Sequence, residues 1–136
     1  MDMKISNENI IFIYLNTKHE VIELDHKLKQ LEVFIEERNK QLDEQIKNGK
    51  LDGEFAFIQL LAKLSGQDMD IHQIKKINDE KMEAFRQKES ENIKFAIKTR
   101  LSILDELQVA FDVLKEEMPE VVEKYSKPLE RGSLGS

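Results

Sequence analysis

Ile10, Tyr14, Val21, Leu24, Leu28, Leu31, Ile35 and Leu42 follow one another by three, four or seven residues, and this spacing constrains the chain more than any other feature. Thr17 and Arg38 fill two further positions of the same series. Side chains so spaced share one face of a helix. The first proline is Pro119, so no earlier position lacks the N–H that a helix needs. Ser6 suits an N-cap, Glu8 stands in the first turn, and Asn48-Gly49 supplies a stop after Lys47. The spacing predicts a helix over residues 7–47, about 60 Å long at ~1.5 Å per residue. One alternative stays open. Residues 10–15 are β-prone and Thr17-Lys18-His19-Glu20 is a capping box, so a strand followed by a later helix start also fits. The heptad phase runs unbroken through the box, which favours helix throughout.

A second, short helix is expected over residues 52–65. Asp52 can cap it, Phe55, Ile58, Leu61 and Leu64 form its stripe, and Ser65-Gly66 ends it. The third helix, residues 70–118, has the best-defined start. Asp70 is its N-cap, Gln73 completes a capping box, and Met69 is placed to staple onto Ile74. Its seam is Ile71, Ile74, Asn78, Met82 and Phe85, then Ile93, Ile97, Leu104, Leu107, Phe111, Leu114 and Met118, with a stutter between Phe85 and Ile93. Pro119 forbids simple continuation, and residues 119–126 add a turn or two. Residues 127–136, ending Arg131-Gly132-Ser133-Leu134-Gly135-Ser136, are expected to be a disordered tail and in part an expression remnant.

The distribution of apolar residues selects the architecture. Residues 10–35 and 93–118 are rich in them, whereas 36–50 and 75–92 are poor. An antiparallel hairpin brings the rich halves together, and the short helix, with Phe55, Phe57, Leu60 and Leu61, falls where the poor end needs cover. The expected fold is all-α: a coiled-coil-like hairpin of two long helices with a short helix between them, one domain over residues 1–126, packed as a helical bundle or a bundle dimer. Phe12, Leu15, Ile22 and Val33 form a second stripe on the far side of the first helix. It is covered either by helix 2 or the C-terminal segment, or by a dimer mate.

Composition narrows the function classes. Of 136 residues, 35% are charged and none is cysteine, so thiolate chemistry, Cys-bound zinc and a disulfide framework are excluded. The longest apolar run, Ile10 to Leu15, falls far short of the ~20 residues of a membrane span. It lacks the flanks of a signal peptide, so a cytoplasmic protein without membrane contact is expected. A net charge of −6 argues against nucleic acid, whose binders cluster Lys and Arg against phosphates.

His19, Glu23 and His26 project from one side of the first helix, and Glu23-Leu24-Asp25-His26 has the E-x-x-H spacing of di-iron bundles. Val21 and Leu24 set the seam and turn these side chains away from it. His26-Lys27-Leu28-Lys29-Gln30 resembles the H-x-L-K-G core of histidine phosphotransfer domains, with Gln30 where that pattern has glycine. A histidine phosphotransfer or metal-bearing bundle centred on His26 is therefore one alternative function, and a self-assembling structural component another. His72 falls in the first turn of helix 3. Nucleophile elbows and phosphate-binding glycine loops are missing from the sequence, so no catalytic residue, metal ligand or cofactor is assigned.

Between Asp105 and Glu123 stand seven acids and one base, Lys115. Glu116 and Glu117 close the third helix, where its dipole is negative and acids are mildly unfavourable. The function expected is non-enzymatic: an adaptor, chaperone or inhibitor that holds a partner protein through apolar helix stripes and this acidic helix end. The partner is expected to be basic and the protein a homodimer. The contact residues expected are Ile22, Val33, Val109, Val113, Glu116, Glu117 and Val121, with Val122 beside them.

Overall fold

The computed structural model describes residues 5–134, with side chains to residue 128. Four helices follow in order: α1 (Asn7–Lys47), α2 (Gly53–Leu64), α3 (Ile71–Glu117) and α4 (Pro119–Leu134). No strand occurs among the described residues, and residues 10–15 are helical. The heptad phase outweighs their β propensity because it lets Tyr14 and Thr17 be buried on the same side as the residues that follow.

Local chemistry explains the boundaries. Ser6 Oγ accepts from the Asn9 N–H at 3.2 Å and opens α1. At its end the Lys50 N–H reaches the Gln45 carbonyl and the Gly49 N–H reaches Ile46, the two bonds of a Schellman motif. That geometry needs the φ of +74° found at Gly49, which a side chain would resist. The same pair of bonds closes α2, from Gln67 to Ala62 and from Gly66 to Lys63. The capping box of α3 is reciprocal: Gln73 N–H donates to Asp70 Oδ1 and Asp70 N–H to Gln73 Oε1, both at 2.9 Å. Pro119 takes the first position of α4, where its missing N–H costs nothing. Helix α4 passes the expected end at residue 126 and runs to Leu134, through residues expected to be a disordered tail and with Pro128 inside it. Gly135 and Ser136, the end of that tail, lie outside the described residues.

Packing gathers into two compact units, and both long helices contribute to each. The first combines residues up to Lys27 with those from Asn92 onward. Here α1 lies antiparallel to α3: Tyr14 stacks on Phe111 with ring centroids 3.9 Å apart, and Arg100 is bonded to Glu20. Ile11, Tyr14, Phe111 and Leu114 form its buried cluster. Helix α4 packs on that cluster through Val121, Val122 and Tyr125, with Met118 just before it. These residues recur at i, i+3, i+4 and i+7 and so form one helical face. Its arrival accounts for Ile11, which lies off the heptad series yet is 0% exposed.

The second unit spans Leu28–Glu91. Leu42, Leu51, Phe55 and Ile74 are its main cluster, joining α1, α2 and α3 as the apolar-poor ends required. The antiparallel pairing recurs in Arg86–Glu32 and Lys75–Asp43, each 3.0 Å apart. The stripe expected for α2 needs correction. Phe55 and Ala62 are buried and Ile58 half-buried, but Leu61 and Leu64 face outward, as do Phe57 and Leu60. Phe55 lies under the Arg38 guanidinium, 4.9 Å from its ring centroid. A helix that is apolar on two sides does not reveal by spacing which side turns inward.

Candidate protein-binding surface

The second stripe of α1 divides into two parts. Phe12 meets Tyr125 edge-to-face at 5.4 Å, and Leu15 packs against the core cluster of the first unit, so α4 takes this end. Tyr125 is anchored further by its hydroxyl, which donates to Glu8 Oε1 at 2.6 Å. That bond, with the charge of Lys124, holds the Glu8 carboxyl below its ordinary pKa, and the bond to Glu8 raises that of the Tyr125 phenol. Ile22 and Val33 remain 55% and 57% exposed.

Helix α3 carries the acidic stretch. Leu104, Leu107, Phe111 and Leu114 face the core, which leaves the opposite side outward. Phe95, Val109 and Val113 stand there, 72%, 76% and 50% exposed. Phe95 and Val113 are five helical turns apart, so they point the same way, and Val109 lies one turn before Val113. Glu106, Glu116 and Glu117 are exposed on the same side. Beside Phe95 the surface dips into a shallow groove that Thr99, Ser102 and Ile103 help to line. Lys98 lines the groove beside Phe95, so the border is of one sign only around Val109 and Val113, where Glu106, Glu116 and Glu117 stand.

Two other expected contact residues sit differently. Val121 and Val122 are half-buried against Ile11 and its neighbours, because α4 turns its apolar face back to the core. Phe95, which belongs to the outward row, was not among the expected residues. Its signal was legible: it lies two positions past Ile93 and two before Ile97, off the seam.

His26 lies on the solvent side of α1, whereas His19, expected there too, is half-buried, its side chain 14% exposed. His26 is exposed, and His19 Nε2 is 3.0 Å from Glu23 Oε1. Among the described residues no group of three or more His, Cys, Asp or Glu side chains is placed to hold a metal ion. Nor, among them, is any helix long and apolar enough to cross a membrane. No family model, curated protein or solved structure matches the chain.

Proposed function

We propose that this chain is a non-enzymatic helical interaction module, an adaptor, chaperone or inhibitor of the cytoplasm, that holds a basic segment of another protein along the outward face of α3. The observation that carries this is the pair Val109 and Val113, exposed on one side of a long helix and bordered by Glu106, Glu116 and Glu117, with Phe95 and Lys98 farther along the same side. A partner helix with apolar anchors one turn apart and Lys or Arg beside them is complementary to it. The acids would steer its approach, and the apolar row would slow its departure. The protein is taken to act as a homodimer.

Affinity capture with the wild type and with Val109→Asp/Val113→Asp, followed by mass spectrometry, tests the reading. A partner retained by the wild type and lost by the variant, with a basic amphipathic segment that binds alone, is the expected result. Capture unchanged by the variant would place the binding surface elsewhere.

A further inference from the structure

Helix α2 carries apolar residues on the side where a surface helix is normally polar. Phe57, Leu60, Leu61 and Leu64 are 58%, 53%, 47% and 75% exposed. They fall at i, i+3, i+4 and i+7, a single stripe opposite the buried Phe55 and Ala62. A helix apolar on both sides is the pattern of one covered on both sides. The outward stripe amounts to on the order of 400 Å², within the range of the largest apolar patch on a single chain, which is often functional.

We propose that two copies of this chain associate through this face, α2 against α2 about a two-fold axis. This gives the homodimer of the preceding section a surface and does not use the acidic side of α3. Charge selects a second copy as the occupant. A two-fold interface brings each patch against itself, so it tolerates no border of like charges. The charged residues of α2 are Glu54 and Lys63, and both oxygens of Glu54 are already bonded to Arg38. The row on α3, in contrast, would set glutamates against glutamates.

Spacing agrees. The stripe is symmetric about the midpoint between Leu60 and Leu61. An antiparallel pairing therefore sets Phe57 against the partner's Leu64, and Leu60 against the partner's Leu61. Two such faces together remove roughly 800 Å² from water, below the ~1,200 Å² of standard interfaces, so the dimer is concentration-dependent rather than permanent.

The absence of cysteine makes the test clean, because one introduced thiol reports alone. Leu60→Cys puts two thiols beside the axis and should oxidise to a covalent dimer. Phe57→Cys should not self-link, since its copies lie about 10 Å apart along the helices, but it should pair with Leu64→Cys in a mixture. Sedimentation equilibrium of the unmodified chain from micromolar to near-millimolar concentration should show association. Leu60→Glu with Leu64→Glu should weaken it more than tenfold and leave the helical circular dichroism unchanged. A wild type that stays monomeric throughout overturns both the dimer and this surface. Association that survives the glutamate pair but is lost in Ile22→Glu keeps the dimer and overturns the surface. Self-linking of Phe57→Cys as readily as of Leu60→Cys overturns the symmetry. Co-sedimentation of the wild type, but not the glutamate pair, with phosphatidylcholine vesicles would make α2 a lipid contact and overturn the proposal.

Discussion

Arg38 of α1 and Asn78 of α3 are joined by a hydrogen bond, the Arg38 Nε donating to Asn78 Oδ1 at 2.9 Å. Asn78 Nδ2 donates onward to Asn39 Oδ1 at the same distance, and the remaining guanidinium nitrogens of Arg38 clasp Glu54 of α2. Asn78 is only 4% exposed, and among the described residues no buried side-chain nitrogen or oxygen lacks a partner. A polar group at such a seam position is satisfied in one register, whereas leucines slide past one another at little cost.

Removing the asparagine should therefore be expensive. Asn78→Ala strands the Arg38 Nε and the Asn39 oxygen, and a loss of about 1–3 kcal/mol is expected. Asn78→Leu, which also fills the space, should lose less. Urea denaturation of the two variants measures the difference, and a fully stable Asn78→Ala would mean that the network contributes nothing.

Core substitutions should rank by burial. Ile35, Leu42 and Ile74 are each 1% exposed, and truncation of any one to alanine should cost about 2–5 kcal/mol. Leu28 and Leu107 share the same seams but are half-buried, so their alanine variants should lose less. His26→Ala should stay within about 0.5 kcal/mol, as exposed positions do. A large loss at His26 would show that this face of α1 is covered in solution.

Docking of α4 should weaken at both ends of the pH scale. Glu8 has its pKa lowered from 4.5 by the Tyr125 hydrogen bond and by Lys124, so its contribution is present above pH 4.5 and is lost as pH falls through the lowered value. Tyr125 has its pKa raised from 10.0, so its contribution is present below pH 10.0 and is lost as pH rises through the raised value. Tyr125→Phe should melt at lower temperature than wild type at neutral pH. The two should converge in acid once Glu8 is protonated. A constant difference from neutral to acid pH would show that the ring, not the hydroxyl bond, accounts for it.

The acidic side of α3 should act on rates. With a basic partner segment in hand, Glu116→Lys with Glu117→Lys should slow association several-fold at low salt, an effect that fades as ions screen it. Val113→Ala should speed dissociation instead. Surface plasmon resonance at two salt concentrations separates the two effects. Salt-insensitive association, unchanged by the charge reversal, would mean that these glutamates are only solvated surface.

Sequence alone determined where α1 to α3 begin and end, and which faces of α1 and α3 form the long seam. The Asp70–Gln73 box, the Asn48-Gly49 and Ser65-Gly66 stops and the heptad series act within a few residues of themselves, so their meaning survives in one dimension. Of the long-helix seam positions, only Phe85 is exposed, at 38%, and its ring still lies 6.1 Å from Phe34. What the tertiary structure decided is which apolar surface outside the seams meets another. Phe12, Leu15, Ile11 and Val121 are engaged because α4 turns back at Pro119 onto the start of α1, a contact between residues about a hundred positions apart. Phe57, Leu60, Leu61 and Leu64 are exposed because Phe55 and Ala62, on the other side of the same short helix, reach the core first. Periodicity measures how much of a helix wants burial; the arrival of a particular neighbour on a particular side is a property of the folded chain.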